Sequence, residues 1–427
     1  MISWGRYGSR RLRITIISLV FPPETGAARR VGELASFLRS KGHAITVVTA
    51  FPSYPKGEVF PGFAKRPMKT DHTLEGIEVR RVYLYTTTKR DDTFRRMLHY
   101  GTFTATSLVG ASTGARSPDI IYVVSPPYFL GLSGLFASAV RGSGMAFDVQ
   151  DFWPEAPIAL GYVRNKAAVA ALLALEEFVY QRSDLVFALS DVMKRRILER
   201  GVAEHKVHCV HNWVDLDQFR PHVNGMSLKK ELGLEHRFVV LFAGNMGYAQ
   251  GLDAMVDAAS LLGRHPRVVL VLLGDGVELD RIRRRVQVRG LSNVIFVDRV
   301  DEDKVPEFYA MADVLLATLR KAKHREAAIP SKLQTYMAAA KPVVLAADGA
   351  SASIVLGARC GRVVPSDDYE ELARALIELS QLPLGVLESM GARGRCYAGR
   401  HFSREQQCGR IEEQLVRWVA TNETARC

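Results

Sequence analysis

The strongest chemical signals in this sequence are glycine-containing turns that follow short apolar runs. In FAGNMGYAQGLD, Gly244 and Gly247 permit close approach to the backbone, and the helix predicted next offers free N–H groups to a phosphate. A second turn of this kind, LLGDGVE, contains Gly274, Asp275 and Gly276. Glycines also form tight strand-to-helix turns without any ligand, so either motif alone leaves both interpretations open.

A basic side chain is predicted where it can neutralise a phosphate. Lys332 lies near the start of a predicted helix in IPSKLQTYMAAAKPVVLA, directly after Pro330 and Ser331. The start of a helix favours anions. An isolated lysine is usually a solvated surface residue, so the prediction of a phosphate site depends on the two glycine turns as well.

Acidic side chains provide candidates for proton transfer. Asp151 follows the predicted strand AFDVQ, and a carboxylate at that end of a strand can orient or deprotonate a hydroxyl group. Asp148 lies three residues earlier, on the opposite face of an extended strand, and is interpreted as structural. Gly26, in the loop FPPETGAARR, either lets a ligand approach the backbone or only forms a turn.

Asp215 and Asp217 form a D-x-D pair, a pattern that can hold Mg²⁺ or Mn²⁺. Here the pair belongs to the segment HNWVDLDQFRP, and a turn capped by Asp215 is the preferred interpretation. No cluster elsewhere in the sequence has the spacing of metal ligands. We therefore expect no obligatory metal and no other cofactor.

The elements that position these residues are short apolar runs alternating with helical patterns, which is typical of parallel βαβ units. The runs are RITIISLVF, AITVVTAF, DIIYVVSPP, DLVFALS, FVVLFAG, VVLVLLGDG, NVIFVDRV, DVLLATL and KPVVLA. Their nearly continuous apolar character indicates an α/β, doubly wound architecture with helices on both sheet faces. Ligands then bind at the carboxyl ends of the strands.

The length of 427 residues favours two domains. The strand rhythm pauses near HNWVDLDQFRP and restarts at FVVLFAG. The expected organisation is a basic tail over 1–12, a Rossmann-like domain over 13–205, a hinge over 206–222, a second Rossmann-like domain over 223–384 and terminal helices over 385–427.

Composition sets limits on the class of protein. Hydrophobic residues make up 48% and charged residues 24%, as in ordinary globular proteins. Five cysteines without C-x-x-C spacing fit a reducing compartment, so the expected location is the cytoplasm. No apolar stretch is long enough to cross a membrane. The net charge of +12 indicates an anionic partner, but no nucleic-acid recognition motif accompanies it.

Much of this charge is concentrated between residues 65 and 108, where apolar side chains are interleaved with basic ones. The residues are Lys65, Arg66, Lys69, Arg80, Arg81, Lys89, Arg90, Arg95 and Arg96, with Phe94, Met97, Leu98 and Phe103. Such a surface can lie on an anionic membrane. The alternative is a solvated basic face beside an ordinary buried helix.

The order of the motifs is more specific than any one of them. AGNMGYAQGLD, LLGDG, a strand ending in VDRV, ADVLLATL, PSKLQTYMAAAKPVV and CGRVVPSDD resemble the donor half of family-4 retaining glycosyltransferases of the GT-B type. FPPETGAARRVGELASFLRSKGHAITVVTAFPSYP, VVSPPYFLGL, DVQDFWPEAPIALG and HNWVDLDQFRP are similar to the amino-terminal half. The resemblance covers nearly the whole chain and is closest to the branch that builds O-antigen, colanic-acid and capsule-type polysaccharides on lipid carriers.

The resemblance implies two Rossmann-like domains that face each other across a cleft. The carboxy-terminal domain would hold a nucleoside-diphosphate sugar, UDP-linked, and the amino-terminal domain a lipid-linked or glycan acceptor at the cytoplasmic membrane face. Transfer would retain the anomeric configuration, and the leaving phosphate would help to deprotonate the acceptor. Asp151 and Lys332 are then the catalytic candidates.

The predicted donor-binding residues combine the motifs with this resemblance. Gly244, Asn245, Gln250, Arg320 and Lys332 would line the phosphates, and Asp298 to Val300 the base. The full set is Gly26, Gly244, Asn245, Gly247, Gln250, Gly274, Asp275, Gly276, Asp298, Arg299, Val300, Arg320, Ser331 and Thr335.

The sequence departs from the family pattern at three of these positions. The family carries arginine and lysine where Asn245 and Gln250 stand, which leaves Lys332 as the main cation. Thr335 replaces a glutamate that touches the donor ribose, so a charge-assisted hydrogen bond worth roughly 1.5–3 kcal/mol becomes at best a neutral one. Glu326 lies near the family's other glutamate but is out of register by one. Two alternatives therefore remain, a non-catalytic GT-B scaffold or partner subunit and a sugar-nucleotide epimerase on the same scaffold.

Overall fold

A computed structural model describes residues 10–424 apart from 55, 65, 89–92, 153–154, 156–157, 159–162 and 221–222. The chain divides into two compact units. The first contains the chain up to Val210 together with the segment from Glu405 onward, and the second runs from His211 to Arg404. The change from the first unit to the second lies inside the segment predicted as a hinge, and most of the predicted basic tail lies outside the described residues.

The first unit contains an eight-stranded sheet in the order β3-β4-β2-β1-β5-β6-β7-β8. Its strands are β1 (Arg13–Ile17), β2 (Ala44–Ala50), β3 (Met68–His72), β4 (Glu78–Val82), β5 (Ile120–Val124), β6 (Gly144–Val149), β7 (Leu185–Ala188) and β8 (Val207–Cys209). Neighbouring strands are parallel except for β3, which pairs antiparallel with β4 at the edge. The order reverses between β1 and β5, where Ile14 pairs with Ile45 on one side and Ile120 on the other.

Helices connect these strands. They are α1 (Ala27–Ser40), α2 (Thr93–Ser112), α3 (Leu130–Arg141), α4 (Lys166–Arg182) and α5 (Asp191–Leu198). The amphipathic pattern of α1 explains its place, because Val31, Leu34 and Leu38 recur at helical spacing and are all buried.

The second unit contains a six-stranded parallel sheet in the order β11-β10-β9-β12-β13-β14. Its strands are β9 (Phe238–Ala243), β10 (Val268–Leu273), β11 (Val294–Val297), β12 (Val314–Thr318), β13 (Val343–Ala346) and β14 (Gly361–Val364). Every residue of β9 and of β10 is buried, because helices cover both faces of the sheet. The strand order reverses between β9 and β12, as in a Rossmann sheet.

The helices of the second unit complete its two outer layers. They are α6 (Met226–Glu231), α7 (Leu252–Leu262), α8 (Leu279–Val288), α9 (Val305–Met311), α10 (Ser331–Ala338), α11 (Ala350–Ala358), α12 (Tyr369–Ser380) and α13 (Leu384–His401). The prediction of two doubly wound, Rossmann-like domains is confirmed.

The last helix, α14 (Arg404–Thr424), belongs mainly to the first unit, so the segment predicted as terminal helices is divided between the units. A Cβ atom on Gly144 would lie only 2.2 Å from the Trp418 ring, which shows how closely α14 packs on the sheet. His43 accepts a hydrogen bond from the Leu12 N–H through Nδ1, so its Nε2 carries the proton that it donates to Glu412, at 3.1 Å. Within the described residues, no helix is both long and apolar enough to cross a bilayer.

Candidate active site

The reversal of strand order in the second unit brings the loops after β9 and β12 together. The N–H of Arg320 donates to the carbonyl of Ala249 at 2.9 Å, and the hydroxyl of Thr318 donates to the carbonyl of Gln250. This crevice at the strand carboxyl ends is where open α/β sheets bind ligands. Five predicted donor-site residues, Gly244, Asn245, Gly247, Gln250 and Arg320, lie on these two loops.

Lys332 reaches this crevice from the first turn of α10. Its Nζ donates to Oε1 of Gln250 at 2.7 Å and lies 3.7 Å from the centre of the Phe242 ring. A Cβ atom on Gly244 would come within 3.5 Å of the same Nζ, so the ammonium group lies beside the exposed Gly244 backbone. The structure thus brings Lys332, Gly244 and Gln250 together.

The electrostatic state of Lys332 follows from its surroundings. The residue as a whole is partly exposed, but the protein atoms around its ammonium group lower the pKa of Lys332 to about 7 by desolvation. A bound phosphate would favour the charged form and reverse this shift. Lys332 is therefore poised to gain a proton when an anion binds.

Arg320 has a partner inside the unit. Its guanidinium lies 3.3 Å from a carboxylate oxygen of Asp253 on α7, although the side chain stays 43% exposed. Arg281 is a second partner of Asp253, and its hydrogen bond is the main reason that the pKa of Asp253 lies below its ordinary value. A ligand that contacts Arg320 would therefore bind a guanidinium group that also pairs with Asp253.

The predicted glycines at 274 and 276 hold two loops against each other. A Cβ atom on Gly274 would lie 2.1 Å from the carbonyl oxygen of Gly244, and one on Gly276 would lie 2.5 Å from that of Met246. Asp275, between them, is exposed and accepts a hydrogen bond from the Gly276 N–H at 2.6 Å. These glycines therefore shape the loop that carries Gly244, Asn245 and Gly247.

The hydroxyl group of Thr335, the last residue in the predicted donor-binding set, already has partners within the protein. It donates to the carbonyl of Lys332 at 2.9 Å and lies 3.3 Å from the hydroxyl of Tyr309. Ser331 is exposed at the first position of α10. Residues 298–300 follow the edge strand β11, and the exposed Asp298 pairs with Arg283 at 2.6 Å.

In the first unit, the corresponding reversal lies between β1 and β5. Gly26 caps the start of α1 with φ 69° and ψ −121°, a conformation that favours glycine, and its position faces open space. Ala27, the first residue of α1, is exposed as well. Gly26 therefore forms the turn that enters α1, and open space lies beside it.

Asp148 is the centre of a buried polar network. Its Oδ2 accepts hydrogen bonds from Arg30 at 2.8 Å and from the Tyr122 hydroxyl at 2.7 Å, and its Oδ1 accepts from Gln150 at 2.6 Å. Burial and the charge of Asp148 raise the pKa of Tyr122 well above its ordinary value, so Tyr122 stays a donor. The interpretation of Asp148 as structural agrees with this enclosure.

Asp151 is exposed just beyond the end of β6. The next residue, Phe152, is fully buried, with the guanidinium groups of Arg196 and Arg200 at 4.4 and 5.0 Å from its ring centre. Glu155 accepts hydrogen bonds from both arginines. Asp151 therefore directly precedes a residue, Phe152, that is packed against Arg196 and Arg200.

The D-x-D pair forms a turn. Oδ1 of Asp215 accepts hydrogen bonds from the N–H groups of Asp217 and Gln218, at 2.9 and 3.1 Å, which confirms that Asp215 caps this turn. Within the part of the chain that the structure describes, no group of three or more His, Cys, Asp or Glu residues is arranged to hold a metal ion.

The basic segment is only partly a surface. Arg81 and Phe103 are buried, so including them in an exposed membrane-binding face was wrong. Arg81 instead donates to the carbonyls of Ala50 and Pro22. Arg66 and Lys69 are exposed, whereas Lys65, Lys89 and Arg90 lie outside the described residues.

The outward face of α2 is apolar along its length. Phe94, Met97, Leu98 and Val109 are 76%, 45%, 39% and 56% exposed. Arg95 and Arg96 lie in its first turn, and the helix contains no acidic residue.

Arg30, Gln150 and Glu24 were not predicted as site residues, although the structure places all three on the wall of a cavity in the first unit. They lie in the same sequence segments as Gly26 and Asp151. This proximity is the sequence signal that points to them as site residues.

Two Rossmann-like units in one chain, each with candidate site residues at the carboxyl ends of its strands, are the architecture of a GT-B glycosyltransferase. Comparison with known families agrees. Residues 25–213 match the glycosyl transferase 4-like domain, and residues 237–381 match the domain of glycosyl transferases group 1. The chain belongs to this glycosyltransferase family, as the motifs predicted.

Individual relatives support the same class. WcaI of Escherichia coli strain K12, named for colanic acid biosynthesis, is 29% identical over 347 residues, which cover 79% of this chain and 84% of WcaI. The structure of Anabaena HepE in complex with UDP and glucose is 17% identical, with a TM-score of 0.69 over 95% of this chain and 99% of HepE. WaaG, a glycosyltransferase involved in lipopolysaccharide biosynthesis, has a TM-score of 0.66 at 17% identity, over 92% of this chain and 98% of WaaG. The last two likenesses concern the fold.

Proposed function

We propose that this glycosyltransferase moves a sugar, with retention of configuration, from a UDP-sugar to a hydroxyl group of a lipid-linked or polysaccharide acceptor in cell-envelope polysaccharide synthesis. The observation that carries the proposal is the position of Lys332, whose Nζ lies beside the open Gly244 backbone at the strand reversal of the second unit. The UDP in the HepE structure and the name of WcaI support the choice of donor and pathway.

The proposed chemistry is stabilisation of the leaving diphosphate. As the bond between the sugar and the diphosphate breaks, negative charge grows on the departing oxygen, and preorganised donors there lower the barrier. Lys332 supplies the positive charge, and the loop from Gly244 to Gly247 supplies backbone close to it. The departing phosphate accepts the proton of the acceptor hydroxyl on the same face, and Asp151 orients that hydroxyl.

The acceptor side of the proposal includes a membrane. The outward apolar face of α2 inserts into the interfacial region of the cytoplasmic leaflet, and Arg95 and Arg96 contact anionic headgroups. The enzyme would then act as a peripheral protein on lipid-linked glycans. Because Lys332 already provides a cation at the donor site, we also propose that transfer requires no metal ion.

Calorimetric titration of the purified protein with UDP and with GDP, each with Mg²⁺ or with EDTA, tests the donor site. We expect UDP to bind equally well in both buffers and Lys332→Ala to weaken binding about tenfold or more, as expected for loss of a charge-assisted contact. The matched control is Lys304→Ala, at the exposed position that directly precedes α9. Absence of UDP binding would overturn the proposed donor, and binding only with Mg²⁺ would overturn its metal independence.

The proposed sugar transfer is tested by a turnover measurement. UDP release from UDP-sugars should depend on added acceptor glycolipid, and the anomeric proton of the product should show the donor's configuration by NMR. A protein that binds UDP but transfers no sugar to any membrane extract would support a non-catalytic scaffold, an alternative favoured by the engaged Thr335 hydroxyl.

A further inference from the structure

A cavity of about 270 Å³ opens at the carboxyl edge of the sheet in the first unit. Its wall is built from residues at or just beyond the ends of β1, β2, β4, β5 and β6 and from residues of α1 and α2. It lies beside the strand reversal between β1 and β5, the position at which an open α/β sheet binds its ligand. All of its wall belongs to the first unit.

The charged side chains on this wall already have hydrogen-bond or ion-pair partners within the protein. Glu24 is buried, and its Oε1 accepts hydrogen bonds from the N–H groups of Ser53 and Tyr54, both at 2.8 Å. Arg30 forms its ion pair with the buried Asp148. A phosphate entering the cavity would lose hydration without gaining a counterion of its own, which is unfavourable.

The imidazole on the wall is also held in place. Nδ1 of His99 donates to the carbonyl of Tyr85 at 2.8 Å, because a carbonyl oxygen only accepts. This contact fixes the ring at the edge of the cavity.

The remaining polar groups are neutral. Gln150 is fixed on the wall by two contacts, since its Nε2 donates to Asp148 at 2.6 Å and its backbone N–H donates to Oγ of Ser125 at 3.2 Å. Tyr54 and Tyr100 add aromatic rings and hydroxyl groups. Amides and hydroxyls both donate and accept, as sugar hydroxyls require, and an aromatic ring combines an apolar face with a polar end that suits the mixed surface of a sugar.

We propose that this cavity binds a neutral sugar ring of the acceptor. The inference deepens the proposed function and rests on it. The preferred acceptor is then a saccharide that already carries at least one neutral sugar, and not a bare lipid phosphate. His99 and Tyr100 of the wall belong to α2, whose opposite face is apolar, so the sugar of a lipid-linked glycan would bind close to the bilayer surface.

Saturation-transfer NMR at pH 8 on the full-length protein saturated with UDP tests this proposal. The neutral probes are methyl α-glucopyranoside, methyl β-galactopyranoside and methyl α-mannopyranoside, and the anionic probes are methyl phosphate and glucose 6-phosphate. We expect at least one neutral glycoside to receive saturation, and Gln150→Ala and Tyr54→Ala each to weaken its binding about threefold to tenfold. Gln181→Ala, an exposed glutamine on α4, is the matched control.

Two results would overturn the inference. One is binding of methyl phosphate or glucose 6-phosphate without binding of any neutral glycoside, and the other is binding of glycosides that neither wall variant changes. Calorimetric UDP binding on the same samples separates this inference from the proposed function. If UDP binds and the glycosides do not, only the acceptor assignment fails, whereas absence of UDP binding counts against the transferase proposal itself.

Discussion

Gln250 accepts a hydrogen bond from Lys332 at 2.7 Å, although the two residues are 82 positions apart in the sequence. The family pattern has a second cation where Gln250 stands, and two ammonium groups at this distance would repel each other. In this chain the neutral carboxamide of Gln250 instead holds the ammonium group of Lys332 beside the Gly244 loop. Gln250 therefore lacks the charge that the family pattern has at this position, but it orients the charge of Lys332 in the proposed donor site.

This arrangement predicts proton uptake when the donor binds. With the pKa of Lys332 at about 7, roughly nine-tenths of the amine is neutral at pH 8, and a bound diphosphate would restore its charge. UDP binding at pH 8 should therefore take up close to one proton, and binding at pH 6 very little. Titrations in buffers of different ionisation enthalpy measure the uptake, which should vanish in Lys332→Met. An unchanged uptake in that variant would assign the proton to another group.

The same pKa predicts how stability depends on pH. Below pH 7 the native protein carries a charged, desolvated Lys332, which costs free energy. Between pH 7 and about 10.5 the unfolded chain binds a proton that the native state lacks, so this residue makes stability rise with pH. Lys332→Met should thus be more stable than the wild type at pH 6, on the order of a few kcal/mol, with a smaller difference at pH 9.5. Urea unfolding at both pH values measures the change, and a difference that grows with pH would contradict it.

Asp148 and Asp151 should respond to substitution in opposite ways. Asp148→Ala leaves the charge of Arg30 buried without its carboxylate and should cost about 3–5 kcal/mol of unfolding free energy. Asp151 is exposed, so Asp151→Ala should change stability by less than about 1 kcal/mol while lowering the transfer rate roughly 100-fold. Denaturant unfolding and initial rates of UDP release measure the two effects. Full activity in Asp151→Ala would remove this residue from the mechanism.

The sequence predicts the two sheets well because β9 and β10 are apolar along their whole length, as strands covered on both faces must be. It does not reveal β3 and β4 as readily. β3 is a polar edge strand with almost fully exposed side chains, and its pattern resembles a loop. Arg81 was counted as surface charge for the same reason, whereas the fold brings it to carbonyl groups 31 and 59 residues away.

Prediction from the sequence has the same limit at the candidate site. The strand rhythm places Gly244, Arg320 and Lys332 at the carboxyl edge of one sheet, since each follows a strand or begins a helix there. It does not specify which side chains touch, because the contact of Lys332 with Gln250 depends on rotamers and on the short turn at residues 248–250. The Asp148 network is likewise assembled from three separate segments of the first unit.

The packing of α14 on the first sheet predicts a strong effect at Gly144. An alanine there would place its Cβ 2.2 Å from the Trp418 ring, and overpacking of this kind costs about 1–3 kcal/mol. Gly409→Ala is the matched control on α14, the helix that carries Trp418. No atom lies within 4 Å of its Cβ position, so this change should be neutral or stabilising by about 0.5–1 kcal/mol. Thermal and urea unfolding compare the two. Equal stability of both variants would show that α14 does not pack on Gly144 in solution.

Membrane binding through α2 predicts separable apolar and electrostatic effects. Phe94→Ser with Leu98→Ser should weaken binding to vesicles of phosphatidylglycerol and phosphatidylcholine about tenfold, because two exposed apolar side chains are removed. Arg95→Gln with Arg96→Gln should lower it about 30-fold, from roughly 1 kcal/mol for each basic residue near an anionic surface. Only the arginine pair should matter less when phosphatidylglycerol is omitted.

Vesicle sedimentation measures both effects, with Val288→Ser as the control, since Val288 is an exposed apolar residue of the second unit. Because α2 also contributes to the wall of the acceptor cavity, the apolar variants should raise KM for a glycolipid acceptor while leaving UDP affinity unchanged. Vesicle binding that is equal for the wild type and both double variants would exclude α2 as the docking helix, and the acceptor would then reach the enzyme by another surface.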